Sequence, residues 1–216
     1  MNIPFEIVFS RFNEDVSFLE KSPHPVVVYN KGEPLPASFR RKVVTLPNVG
    51  MDSHSILTHL ANNYDDLADV TLFICGSWRK RPENVYPLAI HYVVKPMLPG
   101  STIVCARHVF DDGWPGPVKH WGKWADMLAS GEIAKSPYTL GEWWDRVIGG
   151  PRPDKLCYCP GQTFSVCEEH VRRRPQEWYR QLAKYFERAK YPEECHHLER
   201  SWFYVFQEGG RTDVDL

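Results

Sequence analysis

The feature that most limits how this chain can fold is a series of short, β-branched apolar runs in its first half. They fall at residues 5–9, 26–29, 43–46, 70–74 and 102–105, each bounded by Pro, Gly, Asn or Asp. Near-continuous apolar runs of this length suit strands covered on both faces. Between the third and fourth runs, Ile56, Leu57, Leu60 and Ala61 fall at helical spacing, which predicts a helix over 52–63. Strands alternating with helices predict an α/β sandwich with a central, mostly parallel or mixed sheet. A further strand at 163–167 brings the sheet to about six. The second half is more helical. Thr139 and Glu142 form a capping-box pattern, and Pro175 and Pro192 each open a helix, running to about 189 and 206. Residues 110–137 are rich in Gly, Pro and Trp and read as an irregular excursion. Residues 1–208 read as one domain and the polar residues 209–216 as a flexible tail.

With 216 residues, the chain is long enough to bury a core without disulfides or metals. Lys and Arg number 26 against 27 Asp and Glu. That balance lacks the basic surplus a general nucleic-acid binder needs to displace counterions. No stretch approaches the ~18 apolar residues of a transmembrane segment. The N-terminal residues lack the charged and apolar regions of an export signal, so a cytoplasmic location is expected. In that setting the six cysteines read as free thiols. Cys157, Cys159, Cys167, His170, Cys195, His196 and His197 are zinc-type ligands. Their C-x-C spacing departs from structural zinc sites, and buried small side chains are the better reading.

Walker A, G-x-G-x-x-G, H-E-x-x-H and G-x-S-x-G patterns are absent. Polar clusters that follow the strands stand out instead. Arg11, Asn13, Glu14 and Asp15 follow the first, and Asn30 and Lys31 the second. Asn48 and Gly50 follow the third, and Gly76, Ser77, Arg79, Lys80 and Arg81 the fourth. Ligands of open α/β sheets bind outside the carboxyl ends of the strands. Each cluster alone is ordinary turn chemistry; together they predict a polar, anion-tolerant crevice.

Several blocks also carry a resemblance. Ser-Arg-Phe-Asn-Glu-Asp (10–15), Val-Tyr-Asn-Lys-Gly (28–32), Leu-Pro-Asn-Val-Gly (46–50), Pro160-Gly161-Gln162, Arg174-Pro175 and Leu198-Glu199-Arg200 occur in order across nearly the whole chain. The chain resembles a family catalogued as a domain of unknown function in fungi, algae and large DNA viruses, itself similar to GT-A-fold nucleotide-sugar glycosyltransferases. The resemblance implies a single GT-A-like, Rossmann-like domain that moves a sugar from a nucleotide-sugar donor, with UDP as carrier, to a hydroxyl of a glycan or glycoprotein acceptor. The post-strand residues would bind the donor, with His54 either touching it or serving as a cap. Where such enzymes carry Asp-x-Asp, this chain has Cys75-Gly76-Ser77, and where the family has Gly-Arg-Glu it has Gly50-Met51-Asp52. A Mn²⁺ or Mg²⁺ requirement is therefore open. Arg79, Lys80 and Arg81 are either a clamp on the diphosphate or a solvated basic turn. Asp111 and Asp112 are either a substitute metal site or an acidic turn.

Glu199 falls on the same helical stripe as Cys195, Leu198, Trp202, Val205 and Phe206. A carboxylate there must be paired, protonated or lining a pocket. It reads either as an ion pair with one of Arg172–Arg174 or as a base with a raised pKa acting on the acceptor, Glu194 being the next candidate. Gly161, Gln162 and Phe164 are expected to face the acceptor, and Trp143 either to stack on a sugar or to pack in the core. The rival reading from another class is a non-catalytic carbohydrate- or nucleotide-binding module on the same fold. A zinc enzyme built on the Cys and His residues is a third.

Overall fold

Strand β1 (Phe5–Arg11) is the spine of the sheet, with Ile7, Val8 and Phe9 all buried. It pairs in parallel with β2 (Val26–Asn30), which pairs in parallel with β3 (Lys42–Thr45). Helix α1 (Met51–Asn62) then returns the chain so that β4 (Val70–Cys75) pairs in parallel with the other side of β1. These elements come from a computed structural model that describes residues 5–77, 103–105, 108–110, 114 and 118–216. The later elements are β5 (Ile103–Cys105), β6 (His108–Phe110), α2 (Lys123–Ala129), α3 (Leu140–Trp143) and β7 (Leu156–Tyr158). They are followed by β8 (Phe164–Cys167), α4 (Glu168–Val171), α5 (Gln176–Phe186) and α6 (Glu194–Val205).

Among the described residues the main sheet has six strands in the order β3-β2-β1-β4-β8-β5, and β8 runs antiparallel to both its neighbours. The chain is thus an α/β, Rossmann-like sandwich, as its strand and helix pattern predicts. Successive residues of each strand feed opposite faces, as the two-residue period requires. Val8, Val27, Tyr29, Phe73 and Phe164 join one core with Leu57 and Leu60 of α1, Trp178, Leu182 and Phe186 of α5, and Leu198 and Trp202 of α6. Ile7, Phe9, Val26, Val28, Leu72 and Ile74 join the other, against which, among the described residues, the short 3₁₀ turn Ser17–Lys21 and Leu35, Phe39 and Cys167 pack. Burying each large apolar side chain is worth about 1.5–3 kcal/mol, so among the described residues the helix-covered face carries the larger share of the core.

The structure departs locally from these expectations. The capping box of Thr139 and Glu142 forms, but its helix runs on as a π-helical turn over Trp144–Ile148. Pro175 is the N-cap of α5, not its first helical residue, and α5 ends at Phe186. The span read as irregular holds α2, and β6 pairs with β7 in a small antiparallel sheet too short to show a period. Residues 209–216, expected to be flexible, lie against the body. Arg174 donates to the carbonyls of Val205 and Arg211 (2.9 and 2.7 Å), and Arg211 N–H donates to Ile148 O at 2.8 Å.

Cys159 is disulfide-bonded, which corrects the expectation of free thiols throughout; Cys75, Cys157, Cys167 and Cys195 form no disulfide. Spacing along a chain does not reveal which sulfurs the fold apposes, and the bond removes the thiol argument for a reducing compartment. Among the described residues, no helix is long and apolar enough to cross a membrane.

Candidate functional site

The four parallel strands all end at one edge of the sheet, and a crevice of about 250 Å³ opens there. Ser10, Arg11, Phe12 and Glu14 line it from β1, Lys31 from β2, and Asn48 from the loop after β3. Met51 and Asp52 line it from the start of α1, and Gly76 and Ser77 follow β4. Lys123 and Trp124 of α2, with Tyr191, complete the wall. Arg11, Glu14, Lys31, Asn48, Gly76 and Ser77 were therefore brought together as their post-strand positions predict. Arg11 and Glu14 also border a second cavity of about 330 Å³, where Asn13 and Asp15 lie.

Within the crevice, Arg11 is largely committed to the fold. Its guanidinium donates to Glu14 O at 2.9 Å, to Glu33 O at 2.7 Å and to Asn30 Oδ1. Asn30 is buried and donates onward to Glu33 O at 3.0 Å, so it ties the first two strand ends together and does not reach the crevice. Asn13 Oδ1 accepts from Glu33 N–H at 2.9 Å. Glu14 accepts from Phe12 N–H at 2.7 Å, and a Cβ on Gly76 would stand 2.6 Å from its carboxyl carbon. Glycine at 76 is what lets the β4 end approach the β1 loop so closely.

Lys31 is the crevice's most unusual group. Its ammonium donates to Val49 O at 2.6 Å and to Met51 O. Burial pushes its pKa down to about 8, against the charge of Asp52, which holds it up. Gly50, just before α1, has φ +60°, and a Cβ there would lie 2.7 Å from His54 Cβ and 2.8 Å from Phe186 Cβ. Gly50 thus shapes the turn from behind and does not line the crevice. Met51 also has positive φ, 47°, a strained setting for a residue with a side chain. His54 is buried behind the crevice, not in contact with it. Burial first, and the Lys31 charge second, push its pKa down to about 4, against Glu187.

The residues expected at the acceptor side need correction. Phe164 and Trp143 are wholly buried core residues, so neither presents a face to a sugar. Gln162 is buried and accepts from Ser53 Oγ at 2.6 Å and Trp202 Nε1 at 2.9 Å. Gly161 donates its N–H to Glu199 Oε1 at 2.5 Å. Glu194 is fully buried, bonded to Tyr185 Oη at 2.8 Å and to Arg188, and has no route to a substrate. Glu199 stands 3.6 Å from His196 Nδ1 and not in an ion pair with Arg172–Arg174. Burial would raise its pKa, but His196, Arg200 and the Gly161 N–H together hold it below the ordinary carboxylate value. The expectation of a raised pKa was wrong because helical spacing shows the stripe but not the partners waiting on it.

Lys123, Trp124 and Tyr191 were missed. Lys123 Nζ lies over the Trp124 ring at 4.4 Å, and Lys190 lies over Tyr191 at 4.8 Å and over Phe12 at 5.9 Å. The Lys-Trp pair inside a glycine-flanked segment was the available signal, hidden by reading that segment as irregular. Arg79, Lys80, Arg81, Asp111 and Asp112 lie outside the described residues. Among the described residues, no group of three or more His, Cys, Asp or Glu side chains is arranged to hold a metal ion. No protein-family model matches this chain, and no curated protein matches it.

Proposed function

We propose that the chain is a glycosyltransferase that moves a sugar from a nucleotide-sugar donor, UDP-linked as the resemblance implies, to a hydroxyl of a glycan or glycoprotein. The observation that supports this most is the composition of the crevice. Four strand ends and the first turn of α1 converge on one polar cavity with a half-buried lysine, faced by Trp124 and Tyr191. A diphosphate calls for the first feature, and a sugar or base ring for the second. Two of the three Lys31 N–H donors are held by main-chain carbonyls, which aims the ammonium and leaves the third for a phosphate oxygen. The α1 N-terminus adds partial positive charge beside it.

Catalysis would then rest on holding donor and acceptor together and on stabilising the negative charge that develops on the leaving diphosphate. Lys31 supplies that charge from within the described residues, and Arg79, Lys80 and Arg81 would add to it. A non-catalytic nucleotide- or carbohydrate-binding module would use the same crevice, and Ser77 in place of an acid is what favours it.

Thermal shift with a nucleotide panel tests the reading. A ligand at 100 times its Kd stabilises the native state by about 2.7 kcal/mol. UDP should raise the melting temperature more than AMP, NAD or inorganic polyphosphate, and Lys31→Gln should abolish the preference. Equal shifts for all four ligands would reduce the crevice to a nonspecific basic patch. The UDP shift should survive EDTA; loss with EDTA and return with Mn²⁺ would assign the charge to a metal. Selective UDP binding without turnover of any UDP-sugar would favour the binding module.

A further inference from the structure

We propose that His196, not Glu199, takes the proton from the acceptor hydroxyl, with Glu199 as its positioning residue and Trp124 as the wall that covers it. This rests on the glycosyltransferase reading and names a residue that reading lacks. His196 is 7% exposed, and its Nε2 is buried with no hydrogen-bond partner. Buried polar atoms are almost always satisfied, so an unpartnered ring nitrogen asks for an explanation. The other ring nitrogen is not orphaned: Nδ1 faces Glu199 Oε2 at 3.6 Å. Glu199 is itself held by the Gly161 N–H, which leaves it little freedom to turn away. A carboxylate on Nδ1 fixes the tautomer in which Nε2 is the basic atom.

Other buried histidines also carry an unpartnered nitrogen, His54 and His197 among them. What sets His196 apart is its neighbour. Its ring packs edge-on against Trp124 at 5.0 Å, and Trp124 is part of the crevice wall. On the other side is His120 at 4.7 Å, which is paired with Glu193 at 2.9 Å. The charged and titratable groups around the ring are therefore Glu199, Arg200 and His197 on α6, His120 and Glu193 beside it, and Lys123 on α2, stacked on Trp124.

The element that carries Trp124 is built to give way. Helix α2 has no buried residue, and the glycines that bracket it, Gly122 and Gly131, have φ of +54° and +77° with open space where a Cβ would go. With Trp124 displaced, the acceptor O–H proton passes to His196 Nε2. The oxygen bonds to the anomeric carbon of the donor sugar. The bond from that carbon to the diphosphate oxygen breaks, and its electron pair leaves with the diphosphate.

The test measures UDP release from UDP-glucose, UDP-galactose and UDP-N-acetylglucosamine with simple saccharide acceptors, across pH. His196→Gln should lower kcat by about 10²–10⁴-fold, the usual contribution of a positioned base, and leave the donor KM and the UDP thermal shift unchanged. Glu199→Gln should lower it less and loosen the preference for the Nδ1-protonated tautomer, read by nitrogen-15 NMR, because the ring loses the carboxylate that faces Nδ1. A merely structural Glu199 would leave the tautomer as it is in the parent. Nitrogen-15 NMR of the parent protein should show His196 protonated on Nδ1, which keeps the inference exposed even if His196→Gln fails to fold. A folded His196→Gln variant at the parent rate, or a proton resting on Nε2, overturns the inference and leaves the glycosyltransferase reading standing. A parent that turns over no donor overturns both.

Discussion

Helix α6 holds two carboxylates in very different company. Glu194 is fully buried and meets Tyr185 and Arg188, and each of its oxygens has a donor. Five residues on, Glu199 has a side chain 15% exposed and holds the Gly161 N–H with one oxygen and faces His196 with the other. The first network closes on itself. The second ends at an unpartnered ring nitrogen beside a crevice wall. The same residue type on the same helix thus serves two purposes, and the difference lies in where each chain of hydrogen bonds stops. A closed network stabilises; one that ends on an open valence is available to a ligand.

Breaking the closed network should give the largest effect. Arg188→Met strands the Glu194 carboxylate without its cation, and stranding a buried charge costs about 3–5 kcal/mol. Urea denaturation of the folded variant measures it, and the UDP shift at saturating ligand should persist wherever the protein remains native. A cost near zero would mean that Tyr185 alone satisfies Glu194, and the contrast between the two carboxylates would collapse. Tyr185→Phe comes next. It removes one hydrogen bond to a charged group, worth about 1.5–3 kcal/mol, and should lower stability with no selective loss of UDP binding.

The open network should be cheaper to disturb. Glu199→Gln keeps an oxygen for the Gly161 N–H and loses only the charge, so stability should fall by about 1 kcal/mol, within the range of a single hydrogen bond. Its activity should fall by far more than its stability. A variant that loses both in proportion, as Arg188→Met should, would make Glu199 a second Glu194.

How much of this was legible in the sequence depends on whether the signal was periodic. The strands of the parallel half announce themselves because Ile7–Phe9, Val26–Tyr29 and Leu72–Ile74 are buried on both faces, leaving an apolar run that little else explains. The crevice was legible for the same reason, since residues just past such runs must emerge at one edge. The antiparallel insertion of β8 was not legible, because periodicity does not encode strand direction. Nor was the distinction between Glu194 and Glu199. Both fit an apolar stripe, and only the fold shows Arg188 and Tyr185 beside one and Gly161 and His196 beside the other. Gln162 is expected at the acceptor side because its block precedes the last strand; here Ser53 and Trp202 draw its amide inward. Trp124 was lost with α2, whose seven residues bury nothing and so show no pattern.

The smallest expected effect separates the two networks by pH. Glu199 has its carboxyl held below the ordinary value of 4.5 by His196, Arg200 and the Gly161 N–H, against the opposing effect of burial. A carboxylate whose pKa is depressed by folding contributes stability that is present above its unfolded pKa and lost as pH falls through the folded one. The parent should therefore be more stable than Glu199→Gln at pH 7, and the gap should narrow as the pH drops below 4.5. It closes once Glu199 is protonated, because a neutral carboxylic acid and an amide then hold the Gly161 N–H about equally well. His54 and His197 pull stability down over part of the same range, their pKa values lying near 4 and 3. They do so in both proteins, so their contributions cancel in the difference. Parallel stability curves, with a constant gap from pH 7 down to 3, would mean that the Glu199 charge adds nothing to the fold. The carboxylate would then be kept for what it does to His196 alone.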